Sequence, residues 1–172
     1  LPGIGARAMK ELGAFRQMAT LGFYVSDTSK GRVRRLPRGD VVATYRLNSL
    51  DTGRMVVGLR TAAEVLLAAG ATRVYVGLPG LDSISAREDL AQLEERAVRP
   101  GHLRLTAFHP MGTVRMGSDP ERSAVDPYGR HHQVTNLWVA DASTFPTCVG
   151  VNPQMTIMSF AKRTAERLAK EA

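Results

Sequence analysis

One run of the chain carries a period that a helix satisfies and a strand does not. Met55, Val56, Leu59, Ala63, Leu66 and Leu67 recur at three- and four-residue intervals, which places them on one face of a helix. Ser49 or Asp51 is positioned to cap its start, and Gly70 stands just beyond Ala69, where such helices end. An apolar face of that length needs a core to lie on. The 172 residues suffice for one domain to one and a half. A hydrophobic share of 44%, a charged share of 23% and a mean hydropathy of −0.14 belong to a globular chain. The longest apolar run, residues 65–69, lies between Glu64 and Gly70 and falls far short of the ~20 residues a spanning helix requires.

The other elements are read from turn and cap signals. The first 18 residues are punctuated by glycine and read as a linker or an incomplete element. Gly3-Ile4-Gly5 lacks both a preceding strand and a third glycine, since position 8 is alanine, so it is set aside as a dinucleotide fingerprint. From Leu21 the pattern becomes β-like. Residues 23–25, 31–35 and 41–47, with a turn at Pro37-Arg38-Gly39-Asp40, predict two or three antiparallel strands. After the long helix come a short strand at 73–77, a charged helix opening at Ser83 or Ser85 and ending near Val98, and a strand at 101–108 that delivers the chain to His109. A Gly/Pro/Asp-rich passage (110–135) leads to a short buried strand at 137–140. A final helix runs from Pro153 to Ala169, with Met155, Met158, Ala161, Ala165 and Leu168 at helical spacing.

Charge and cysteine content narrow the classes of function. The net charge of +7 is local, because residues 1–50 hold nine Lys/Arg against three Asp/Glu. Most of the excess is Lys30, Arg32, Arg34, Arg35 and Arg38, within one hairpin and without a recognition helix or interleaved aromatics, so a solvated surface is favoured over nucleic-acid binding. Cys148 is the one cysteine. It excludes an internal disulfide framework and a Cys-based zinc site. The start of the chain has no continuous apolar core like that of a signal peptide, and a cytoplasmic location is expected.

Three segments hold candidate chemistry. His109 opens His-Pro-Met-Gly112-Thr-Val-Arg115-Met-Gly117, where small residues let backbone approach a ligand and an imidazole can face a pocket. A histidine before proline also suits a capped or core position. Asn136 to Pro146 reads as a short strand ending in Asp141-Ala142-Ser143, either a ligand-binding edge or an Asx-type turn. In Gly150-Val-Asn152-Pro153-Gln154-Met-Thr156, Asn152 is placed as N-cap and Pro153 as first helical residue. Such a terminus exposes unpaired N–H groups that suit an anionic ligand atom.

Together and in this order, HPMGTVRMG, VDPYGRHHQVTNLWVADASTFP and GVNPQMTI resemble the C-terminal region of the glucose-methanol-choline (GMC) family of flavin-dependent oxidoreductases. The 43 residues from His109 to Asn152 match the family's separation of its catalytic histidine and a His-or-Asn partner. Upstream, GFYVSDTSKGRVR is similar to the family's substrate-domain sheet. The resemblance covers residues 20–168 and is most specific in the last third. It departs at Ala142, where many members have glycine. The flavin-binding strand, Gly-rich loop and helix found near the N-terminus of the longer family chains have no counterpart here.

The resemblance implies an α+β fold, part of an α/β enzyme. An antiparallel substrate-domain sheet with flanking helices would be followed by a strand and a C-terminal helix that complete an FAD-binding domain. Residues 1–18 would be linker, 19–108 part of the substrate-binding domain, and 109–172 the active-site loop with the closing strand and helix. The implied activity is FAD-dependent oxidation of a small-molecule alcohol CH–OH to a carbonyl, with hydride passing to flavin N5. His109 is then the general base and Asn152 holds the same substrate oxygen. The helix at Pro153 points at the flavin N1/C2=O edge, with Gln154 at the pyrimidine edge, and Asp141 and Ala142 lie near the ribityl-pyrophosphate chain. The resemblance also implies an N-terminal FAD-binding half, in the same parent chain or a separate subunit. The alternative is a non-catalytic remnant or binding module of the same fold. Arg115 is expected to be a buried loop organiser and Cys148 a packing residue. His131 and His132 lack partners for a metal, and His102 is expected at the surface.

Overall fold

A computed structural model of the protein describes residues 5–171. It is of mixed helix and strand, α+β, and divides into two units. The first holds the residues up to 30 together with 46–105; the second holds 31–45 and the residues from 106 onward.

The first unit is organised by the long helix α2 (Ser49–Ala68). Its periodic face delivers Ala63 to a buried cluster with Val74, Leu78, Leu81, Ile84, Leu90 and Leu93, against which Val56, Leu59, Leu66 and Leu67 pack. The cap is Asn48, one residue before Ser49 and three before Asp51, the positions expected: its side chain accepts the Asp51 N–H at 2.8 Å. Asp51 is thereby free for another task. Its carboxylate is fully buried and accepts the Thr28 N–H (2.8 Å), the hydroxyls of Thr28 and Ser29, and Arg54 Nη1 at 3.1 Å. The Ser29 hydroxyl above all holds the Asp51 carboxyl below its usual range, against the opposing effect of burial. Asn48 in turn donates from its backbone N–H to Ser29 Oγ (3.0 Å) and from Nδ2 to Thr28 Oγ1 (3.0 Å).

Several sequence expectations in this unit are corrected. The first 18 residues contain a helix, α1 (Ala6–Gly13), and a 3-10 turn at Phe15–Gln17. Gly3 and Ile4 of the Gly-rich triplet lie outside the described residues. Residues 23–25 form no strand. The Phe23 ring covers Gly58 of α2 so closely that a Cβ there would fall 2.2 Å from a ring carbon, so this segment packs through its side chain instead of pairing. The strand expected at 73–77 is one bridge between Val74 and Ile84. The helix expected to run to Val98 is a 3-10 turn at Glu88–Leu90 leading into α3 (Ala91–Glu95). The strand expected at 101–108 is a 3-10 turn at Pro100–His102 followed by irregular backbone.

In the second unit β1 (Lys30–Arg35) and β2 (Val41–Arg46) form the expected hairpin, closed by Leu36 N–H to Asp40 C=O at 2.7 Å. Alternation puts Lys30, Arg32 and Arg34 on one side of β1, and every residue of both strands is exposed. The remainder is largely irregular up to α4 (Gln154–Glu171), which contacts it through side chains. Its Phe160 meets the buried Phe145 edge to face at 5.2 Å. Arg163 lies over the rings of Phe160 (4.4 Å) and Tyr128 (5.3 Å) and donates to the Pro127 carbonyl. Residues 137–140 are neither a strand nor buried, since Leu137 is 41% exposed and Trp138 contributes a single bridge to Arg130.

Candidate functional site

The motif segments meet through backbone. Val114 N–H donates to Ser143 C=O (3.0 Å) and Met116 N–H to Thr144 C=O (2.7 Å), joining the His109 segment to the Asp141 segment. On its other side the same stretch is tied to residues 124–125, by Ala124 N–H to Arg115 C=O (2.9 Å) and Gly117 N–H to Val125 C=O (2.9 Å). Residues 114–117 are therefore held from two sides, around Val125, whose side chain is fully buried. Four backbone bonds of this kind fix a segment that no helix or multi-residue strand contains.

His109 lies three residues before Gly112 and is half-buried. Its ring makes no hydrogen bond to the described residues, and residues 104–113 make none through their backbone. The imidazole thus stands at the edge of the anchored segment with both nitrogens available.

Asp141 is exposed and its Oδ1 accepts the Ser143 N–H at 2.7 Å, capping a 3-10 turn at Ala142–Thr144. The Asx-type alternative for this segment is therefore present. It has a consequence for the neighbouring motif, because the carbonyls of Ser143 and Thr144 that receive Val114 and Met116 belong to this turn or follow from it. Thr144 is buried, its hydroxyl bonded to Asp141 C=O at 2.9 Å.

The last motif begins its helix one residue later than expected. Ile157 N–H donates to Pro153 C=O (2.8 Å) and the helix is regular from Gln154. Pro153 is buried, while Asn152, Gln154 and Met155 are exposed. Asn152 makes no hydrogen bond to the described residues, so it does not cap. The N–H groups of Gln154, Met155 and Thr156 have no partner within the helix, as its geometry requires. No hydrogen bond joins His109 to Asn152.

Sequence reasoning missed the part played by residues 123–132. His132 Nε2 lies 3.0 Å from Ser123 Oγ and 3.1 Å from Gly117 C=O. His131 Nδ1 accepts the N–H groups of Gln133 (3.1 Å) and Val134 (3.0 Å). The adjacent histidines carried a signal only as a metal question, and no metal-holding cluster exists among the described residues. Arg115 is exposed and organises the loop through its carbonyl, not through a buried side chain. Cys148 is exposed rather than packed. His102 is half-buried, its Nδ1 receiving the Arg99 N–H at 3.3 Å. Among the described residues no helix is long and apolar enough to cross a membrane.

A family model described as GMC oxidoreductase matches residues 27–161. The chain is 39% identical over 166 residues to an uncharacterised GMC-type oxidoreductase of Mycobacterium tuberculosis (strain ATCC 25618 / H37Rv), covering 96% of this chain and 26% of that protein. It is 30% identical over 182 residues to a long-chain-alcohol oxidase of Arabidopsis thaliana, covering 98% and 23%. With choline oxidase of Arthrobacter globiformis it shares 40% over 117 residues, covering 67% and 20%. The chain spans about a quarter of the length of the first of these relatives.

Proposed function

The chain belongs to the GMC oxidoreductase family, and from that premise we propose that it is the C-terminal part of an FAD-dependent alcohol oxidoreductase. Residues 19–108 contribute to the substrate-binding domain and residues 109–172 close the active site. One observation carries the reading. The backbone bonds from Val114 and Met116 to Ser143 and Thr144 draw two of the three motifs into a single anchored unit, and the third motif begins a helix with exposed donors.

The donor set suits a flavin. An exposed, unpaired Asn152 amide and the free first-turn N–H groups of α4 offer hydrogen bonds and positive potential to an electron-rich ring edge. Gln154 stands beside them, and the backbone of Asp141 and Ala142 serves the ribityl-pyrophosphate chain. The larger share of the cofactor would be held by an N-terminal half, in the same parent chain or as a separate subunit. The flavin supplies the hydride acceptor when bound.

The chain's own residues handle the proton and the substrate oxygen. His109, in its neutral form, accepts the hydroxyl proton of a small-molecule alcohol as the C–H bond breaks. Asn152 donates from its amide to that oxygen and keeps it oriented while negative charge develops. Relatives named as long-chain-alcohol and choline oxidases support an alcohol as substrate class.

Single-turnover flavin reduction in the flavin-loaded enzyme tests these roles. His109→Ala should slow it by roughly 100- to 10,000-fold with flavin retained; near-normal reduction removes His109 from the mechanism. Asn152→Asp replaces a donor by an acceptor beside developing negative charge and should slow reduction while leaving the melting temperature unchanged. Equal rates for wild type and Asn152→Asp would remove the oxygen-holding role.

A further inference from the structure

Resting on the assignment of His109 as base, the structure points to His132 as a positioning residue for the segment that carries it. Gly117 ends the doubly held stretch, and its carbonyl faces two side chains, Ser123 Oγ at 3.0 Å and His132 Nε2 at 3.1 Å. A carbonyl only accepts, so a bond from His132 to Gly117 C=O uses the tautomer with the ring proton on Nε2, which also lies 3.0 Å from Ser123 Oγ. The Ser123 hydroxyl has one proton and also lies against the Asp119 carbonyl. When it serves Asp119, the Nε2–H tautomer of His132 is the side-chain donor left for the Gly117 carbonyl.

The imidazole is itself held. The His132 N–H donates to Ala124 C=O (3.2 Å), the residue whose own N–H reaches Arg115 C=O (2.9 Å). The preceding residue is fixed through its N–H to Leu137 C=O (2.9 Å) and by the two N–H groups that its Nδ1 receives. The ring of His132 therefore bolts the end of the 114–117 stretch to a rigid turn. That stretch is the first hydrogen-bonded anchor on the C-terminal side of His109, since residues 104–113 make no backbone bond among the described residues. Loosening Gly117 frees the register against Ser143 and Thr144, and the imidazole of His109 moves with it. Small misplacements of a base are costly in rate.

The experiment uses the flavin-loaded enzyme and two variants of His132. His132→Leu removes the donor and keeps apolar bulk; His132→Gln returns an N–H donor near the position of Nε2. Amide hydrogen exchange of Val114, Met116 and Gly117 should quicken about five- to tenfold in His132→Leu and less than twofold in His132→Gln, the scale of one hydrogen bond. Flavin reduction should slow about three- to tenfold in His132→Leu and recover in His132→Gln. Unchanged exchange overturns the proposal. Exchange raised equally along α4 also overturns it, because His132 would then act only in general packing. Faster exchange at Val114, Met116 and Gly117 with undiminished flavin reduction overturns it too. His109→Ala in the same enzyme tests the base assignment separately, since full reduction in that variant rejects the base whatever the exchange data say.

Discussion

Gly129 is a position where one methyl group should be costly both in backbone conformation and in contact. Its φ is +90°, which disfavours any residue with a Cβ, and it is buried. An added Cβ would lie 2.4 Å from the Val139 carbonyl oxygen and 3.1 Å from Thr164 Oγ1. The backbone cannot retreat freely, because the Val139 N–H donates to Gly129 C=O at 2.8 Å and the Gly129 N–H to Asp126 C=O at 3.0 Å. Left-handed backbone costs ~1–2 kcal/mol for an L-residue. Relieving the collision strains or breaks a backbone bond worth ~0.5–1.5 kcal/mol, more if a buried group is left unpaired. Gly129→Ala should therefore cost about 2–4 kcal/mol. Gly70 is the control. Its φ is +93°, yet nothing lies within 4 Å of its added Cβ, so Gly70→Ala should cost only the backbone share, ~1–2 kcal/mol. Urea unfolding separates the two, read at Trp138, the one tryptophan, for Gly129 and by helix ellipticity for Gly70. At a slope of ~2 kcal/mol per molar, the midpoint should fall by about 1–2 M for Gly129→Ala and about 0.5–1 M for Gly70→Ala. Equal shifts would refute the argument that the Val139 carbonyl sets the penalty.

Two further outcomes are expected. Asp51 has a folded-state pKa below its unfolded value, so its contribution to stability is present above the ordinary carboxylate range and lost as pH falls through the folded value. Asp51→Asn should flatten that acid limb in a pH series of α2 ellipticity, and an unaltered limb would show that other carboxylates set it. These 172 residues expressed alone should carry no stoichiometric FAD, because the nucleotide half of the site is assigned elsewhere; a yellow, flavin-loaded preparation would overturn the assignment.

What was legible in the sequence was whatever a single segment decides for itself. The period of Met55 to Leu67 carries α2, and Pro37-Arg38-Gly39-Asp40 marks the turn of the hairpin, because each encodes its own geometry locally. The expected strands at 73–77, 101–108 and 137–140 have extended-type residues but find at most single bridges as partners, and a strand is defined by its neighbour. Cap and role were also exchanged around α2. Asp51 stands where a cap is expected, yet Asn48 caps and Asp51 gathers Thr28 and Ser29, 23 and 22 residues away along the chain, contacts that no local pattern announces. At the candidate site His109, Asp141 and Asn152 stand in recognisable motifs. The stitching of 114–117 to 143–144 and 124–125 was not readable, since backbone groups carry no side-chain signature.

The contrast across His109 bears on how the chain could be divided. The backbone from 104 to 113 makes no hydrogen bond among the described residues, whereas 114–117 is bonded on both sides. A break after the exposed Arg104 would sever none of the backbone bonds that order residues 114–145. Trypsin should therefore find a nicking site there that leaves the anchored segment intact. By the same reasoning, this is the place to split the gene into two co-expressed pieces, one ending before His109 and keeping the hairpin, the other carrying the histidine together with the backbone bonds that tie 114–117 to 124–125 and 143–144.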